Sequence, residues 1–195
     1  PHEYTHIEVD SAQMQILMAA PSVKFAESHY YTGKIAVSLL GSSMFGRLFM
    51  ELREKRGLCY SVYARHGANK SYGTVTAYVG TTPERAQESL DVLLTEFGRL
   101  RGSVTQAEVD RAKTNLKAAL VMGEESPGSR ASSNATDWWL LKRVRSLHEI
   151  SDAISAVSIA DINEFLEQFP FAPCSIVTLG RTPLQVPSDI VRSIK

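Results

Sequence analysis

The chain has 195 residues, 44% of them hydrophobic and 22% charged, enough to bury one full core and unlike the composition of a disordered chain. Lysine plus arginine and aspartate plus glutamate both number 21, so no net field draws the chain to nucleic acid or to an anionic membrane, and any partner must be recognised locally. No apolar run is long enough to span a bilayer, and no signal-like segment stands at the start.

The sequence opens on Pro1 rather than methionine, and the expectation is that a segment precedes it, with any targeting information. His6 to Val23 alternates, then turns strongly apolar from Met14 to Ala20 and closes at Pro21, which predicts one strand of a sheet. His29 to Leu40 predicts a helix, interrupted or re-capped by Gly41-Ser42-Ser43. Apolar residues then recur at Leu40, Met44, Leu48 and Leu52, with Phe45 and Phe49 beside them, as on the buried face of a helix. After Gly57, which suits the left-handed conformation that ends helices, the period changes. Tyr60, Val62 and Ala64 alternate with Ser61, Tyr63 and Arg65 as in a half-buried strand. Arg53 is thus placed on the last turn of a helix and Tyr60 at the start of the strand that follows. A helix end folded back onto a strand start can bring a guanidinium and a phenol to one place. On spacing alone, Arg53, Lys55 and Arg56 equally complement the negative end of a helix dipole, and tyrosine is ordinary strand composition.

The second strand runs to about Gly67, and the polar loop Ala68–Ser71 leads to Tyr72–Gly80, whose clean alternation predicts an antiparallel hairpin partner. Thr82 and Pro83 read as N-cap and first position of a helix that turns Leu90, Leu93, Leu94 and Phe97 inward. Thr105 to Glu108 is a capping box with Val104 and Val109 as its hydrophobic staple, and the helix after it should run about five turns until Pro127-Gly128 breaks or kinks it. Helix resumes from Ala131 to Arg145, with Trp138, Leu141 and Trp139 expected to pack inward. Ser146–Glu149 and Ser158–Asp161 start two short helices by the same cap logic, the second with Val157 and Ile162 as staple. Cys174–Gly180 is a closing strand, and the remainder, with Pro183 and Pro187, reads as a loosely held tail. Cys59 and Cys174 fit buried free thiols better than a disulfide framework. Hairpin strands with helices gathered in one block argue for an α+β fold, a two-layer sandwich whose antiparallel or mixed sheet is covered on one face. No linker-like shift divides it, so residues 1–182 are expected to form a single domain and 183–195 its C-terminal tail.

The run LREKRGLCYSVYA resembles the helix-to-strand segment in the C-terminal half of insulinase/pitrilysin-type zinc metallopeptidases, the inverzincins, a group that includes the mitochondrial processing peptidase type. The element order is similar to one half of the inverzincin clamshell over roughly residues 10 to 182. The resemblance implies that the zinc sits in a partner half on an H-x-x-E-H helix, while this half contributes an arginine and a tyrosine reaching across the chamber to the bound peptide. Arg53 and Tyr60 fall on those two positions, as substrate-binding rather than catalytic residues of this chain. Their chemistry suits the role: arginine donates in a fixed fork to peptide carbonyls, and a tyrosine hydroxyl can donate to a carbonyl that becomes an oxyanion. A peptide could also add as a strand to an exposed sheet edge.

The chain itself lacks the zinc grammar. His2 and His6 enclose glutamate at the wrong place, and His29, His66 and His148 have no helical histidine partner at ligand spacing, so no metal is expected here. There is also no Walker loop, GxGxxG, GxSxG elbow or CxxC pair. The implied partners are a zinc-bearing N-terminal half or homologous subunit and a peptide substrate, with homodimerisation of the isolated chain in the partner's place. Two other functions stay open: assembly without catalysis, like the core proteins of the respiratory cytochrome bc complex, and a stand-alone peptide-binding module.

Overall fold

The computed structural model describes residues 3–41 and 44–191. Five strands, β1 (Tyr4–Glu8), β2 (Met14–Ser22), β3 (Cys59–Ala68), β4 (Gly73–Thr81) and β5 (Ser175–Gly180), form one sheet in the order β1-β5-β2-β4-β3. β1 runs parallel to β5 and every other pairing is antiparallel, so the sheet is mixed. The single strand expected over His6–Val23 is two, because the Ser11 hydroxyl accepts from the Gln13 amide at 3.1 Å and turns the chain between them. That turn lets β1 and β2 flank β5 on opposite sides. Pro21 lies inside β2 rather than ending it. It is tolerated because the β5 pairing stops at Ala19, leaving Pro21 paired with Thr74 of β4 alone.

Alternation along the strands separates two faces. Met14, Ile16, Met18, Val75, Ala77, Val79 and Ile176 point into the core, whereas Gln15, Leu17, Thr76, Tyr78 and Tyr63 lie on the opposite, uncovered face. The core face is covered by α1 (Tyr30–Gly41), α2 (Ala86–Arg99), α3 (Gln106–Glu124), α5 (Leu147–Ala156) and α6 (Ile159–Gln168), while α4 (Pro127–Leu141) packs outside them against α3. The two-layer α+β sandwich is therefore the observed architecture. Both capping boxes form, Thr105 with Glu108 and Ser158 with Asp161, and Val109 and Ile162 are fully buried beneath them. Thr82 has the extended backbone of a cap, but its hydroxyl makes no cap bond, and a 3-10 turn over Pro83–Arg85 precedes α2. Cys59 and Cys174 are buried free thiols, both pushed up to about 11 by burial. Residues 183–191 carry no helix or strand, yet Leu184, Val186, Ile190 and Val191 pack on the core and the Cys174 amide donates to the Ile190 carbonyl at 2.9 Å.

Two expectations are corrected. The face Leu40, Met44, Leu48, Leu52 does not belong to one helix: α1 stops at Gly41, and Met44 and Phe45 are exposed in the turn that follows, while Ser42 and Ser43 lie outside the described residues. Residues Phe49–Glu54 are wound as a π-helix whose Lys55 amide reaches back five residues to the Met50 carbonyl at 2.9 Å, so a 3.6-residue spacing cannot hold through it. Trp138 and Trp139 do not pack inward; they are 62% and 65% exposed. The buried residue of α4 is Asp137, held by Arg145 through Nε at 3.0 Å and Nη2 at 2.7 Å, and this ion pair turns the tryptophan edge of the helix outward.

The π-helix is fastened by Glu51, a buried carboxylate that accepts from Lys55 and from Arg56 at 2.5 Å each, with Arg99 of α2 3.7 Å away. These hydrogen bonds from Lys55 and Arg56 hold the Glu51 carboxyl down at about 2.

Phe165 is fully buried, so Phe165→Ala should cost about 3–5 kcal/mol in urea unfolding, whereas Trp138→Ala should stay within about 0.5 kcal/mol of wild type. A large loss from Trp138→Ala would return that side chain to the core. Glu51 is charged more readily in the folded chain than unfolded, so its stabilisation is present above the ordinary carboxylate range and lost as pH falls toward about 2. Glu51→Gln should therefore lower Tm at neutral pH and flatten the decline of Tm below pH 4.5, which thermal melts across pH 2 to 7 will read.

Candidate functional site

The sequence folds back on itself at Gly57, whose φ of 60° is open to glycine without strain. The Gly57 amide donates to the Arg53 carbonyl at 3.1 Å and the Leu58 amide to the Leu52 carbonyl at 2.7 Å. Both bonds span one residue more than the usual glycine helix stop, the extra residue being the one that the π-winding adds. Arg85 from the turn before α2 caps the Gly57 carbonyl at 2.5 Å, and Arg56 caps that of Glu51 at 2.9 Å. The peptide groups left over at the helix end are thus satisfied by basic side chains.

This arrangement divides the basic cluster by function. Lys55 and Arg56 are committed to Glu51, whereas Arg53 is exposed and, among the described residues, has no hydrogen bond or ion pair. Its guanidinium rests over the Phe49 ring, 5.1 Å from the centroid, a contact that leaves its donors unused. Its charge reaches Cys59, the residue before Tyr60, where it opposes the rise that burial causes in the thiol.

Tyr60 is the extra residue of a β-bulge. Cys59 pairs with Thr81 and Ser61 with Gly80, so Tyr60 has no partner of its own on β4, and the bulge aims its side chain across the sheet. The ring lies over Gly80, where an added Cβ would stand 2.8 Å from the Tyr60 Cζ and hydroxyl and would push the ring aside. The hydroxyl donates to Gln13 Oε1 at 3.0 Å, and Gln13 Oε1 also accepts from Gln15 at 3.2 Å. Gln15 in turn accepts from the Tyr78 hydroxyl. Burial, followed by a hydrogen bond with Tyr60, pushes Tyr78 up to about 12. Tyr63 stacks on Tyr78 at 5.1 Å, and the Arg65 guanidinium sits 4.4 Å from the Tyr63 ring. Tyr60 is 51% exposed at the head of this polar and aromatic row.

Arg53 and Tyr60 therefore stand exposed on either side of one turn, without a bond to each other among the described residues. Gln13, Gln15 and Tyr78, which hold the Tyr60 hydroxyl, were not anticipated. Their signal is the alternation itself: Gln13 and Gln15 share a face with Leu17, and Tyr78 shares one with Gly80. The histidines do not make a metal site. His6 Nδ1 pairs with the Thr178 hydroxyl and His66 Nε2 with the Ser22 hydroxyl, each at 2.9 Å, His148 faces Asp152 at 3.3 Å, and His2 lies outside the described residues. Among the described residues no three His, Cys, Asp or Glu side chains are grouped to hold an ion.

Residues 1–116 match the family described as the Peptidase M16 inactive domain. The chain is 28% identical over 160 residues to an uncharacterised zinc protease of Bacillus subtilis, covering 82% of this chain and 39% of that protein. Among solved structures it is similar to a peptidase M16 inactive domain from Pseudomonas fluorescens, with TM-score 0.77, 23% identity and coverage of 95% of this chain and 45% of that one. It is also similar to a chain of complex III from Candida albicans, with TM-score 0.79, 21% identity and coverage of 91% and 45%. The chain thus spans less than half the length of these relatives. The match over more than half of its residues makes this chain a member of the peptidase M16 inactive-domain family.

Proposed function

We propose that this chain is the substrate-binding half of a zinc-dependent metalloendopeptidase acting on peptides, with the zinc in a partner half that is either the N-terminal part of the same protein or a homologous subunit. Residues 1–182 would be the working domain and 183–195 its tail. The observation that carries the reading is the unpaired Arg53 guanidinium beside a bulge-directed Tyr60, while every other basic side chain of that turn is bound to Glu51. A structural role alone would leave Arg53 no less committed than Lys55 and Arg56.

Arg53 binds and orients the peptide by donating to its carbonyl oxygens, with the guanidinium resting on Phe49. The Tyr60 hydroxyl donates to the carbonyl oxygen that gains negative charge during cleavage. It must first release Gln13, and exchanging one exposed hydrogen bond for another changes the free energy little. The new bond strengthens as charge develops, which is where a donor contributes to rate. The name of the Bacillus subtilis relative supports the peptidase reading, and the likeness to a complex III chain favours the second reading, assembly within a larger complex.

The test is steady-state kinetics of the full-length protein with a peptide substrate. Tyr60→Phe should lower kcat by roughly 100-fold with little change in KM, and Arg53→Ala should raise KM, both with Tm near wild type. If Arg53 serves only the helix dipole, Arg53→Ala costs about 0.3–1 kcal/mol of stability and leaves kinetics untouched. Wild-type kcat and KM in both variants would favour the assembly reading.

A further inference from the structure

A second feature lies within the helical layer, away from the open face of the sheet. α1, α3, α4 and α5 line an open pocket of about 360 Å³. Its charged side chains are Lys34 and Arg145, its hydroxyls come from Tyr30, Tyr31, Ser132, Ser133 and Thr136, and its apolar wall includes Leu120 and Ile154.

The charges in this cavity do not balance. Arg145 is matched by Asp137, which takes its Nε at 3.0 Å, its Nη2 at 2.7 Å and its backbone amide at 3.0 Å, and the remaining Nη1 donates to the Tyr31 hydroxyl at 2.8 Å. Glu149, the other acid nearby, is held by Arg143. Lys34 has no such partner. Its ammonium stands 5.9 Å from the Tyr30 ring centroid and, among the described residues, makes no hydrogen bond or ion pair. The Tyr30 hydroxyl also has no hydrogen bond there. Burial, and then the Arg145 charge, both lower the Lys34 pKa, so the fold tolerates a cation whose environment opposes it. An ammonium with three donors and a phenol with one thus face a half-buried space with one surplus positive charge.

We propose that this cavity is a binding site for a small organic monocarboxylate, its carboxylate held by Lys34 and Tyr30 and its hydrocarbon body against Leu120 and Ile154. One surplus charge matches one carboxylate; a phosphate dianion would leave a second charge unpaired in the same space. The apolar wall adds an attraction that inorganic anions cannot use. The site is independent of the peptidase reading, because none of its residues touches the Arg53 and Tyr60 turn.

The test is isothermal titration of the full-length protein with octanoate, with 1-octanol as the uncharged match in length. Octanoate should bind one per chain and raise Tm, octanol should not, and Lys34→Met should weaken octanoate binding at least tenfold while keeping Tm at or above that of the unliganded wild type. Tyr30→Phe should weaken it several-fold without altering the fold. Absence of octanoate binding at millimolar concentration, equal binding of octanol, or octanoate binding undiminished in folded Lys34→Met overturns the proposal.

Discussion

The turn through Gly57 depends on one carboxylate. Glu51 is a buried carboxylate inside the π-helix, where an unpaired charge would be costly. It is held there because Lys55, Arg56 and Arg99 surround it, and Arg56 reaches a backbone carbonyl as well. The result is a joint between the π-helix and α2. Everything downstream, from the register of β3 on β4 to the bulge at Tyr60, starts from where that joint sets Leu58 and Cys59.

The same joint separates two kinds of arginine that sequence alone presents as a single basic cluster. Arg56 is spent on structure, whereas Arg53, three residues earlier, is left exposed over the Phe49 ring. The π-winding matters here, since an added residue per turn rotates the side chains after it relative to an α-helix. The sheet shows a parallel division. Its core face is closed by helices, but the opposite face leaves Leu17 at 41% and Ile7 at 46% exposure beside the tyrosine row. Such a face suits the proposed partner half, which would cover apolar surface that this chain leaves in water.

How far the sequence carries depends on whether the signal is local. The capping boxes at Thr105 and Ser158, the strand alternation of β4 and the left-handed Gly57 were all legible, because each is decided by residues within one turn of chain. The split into β1 and β2 was not, since the local turn at Ser11 parts the two strands only because β5, about 160 residues later, lies between them. Trp138 and Trp139 were misplaced for a related reason. A helical apolar pattern names a face, and Asp137 with Arg145 chose the other one through an ion pair that no pattern of hydrophobicity records. At the site, resemblance singled out Arg53 and Tyr60 for the proposed role, but the bulge and the bonds from Tyr60 to Gln13 and from Tyr78 to Gln15 were not legible, because they are cross-strand relations.

Among the described residues Arg53 and Lys34 both lack an acid partner, yet the two absences carry different weight. An exposed guanidinium is solvated, so its freedom costs almost nothing and signals availability only because its neighbours are engaged. Lys34 is partly withdrawn from water beside Arg145, and a surplus charge there opposes folding. Replacement by an apolar side chain would relieve that cost without disturbing the Asp137–Arg145 pair, which closes α4 onto α1 by itself. An anion in the proposed site would reverse that effect, turning a destabilising charge into the anchor of a ligand.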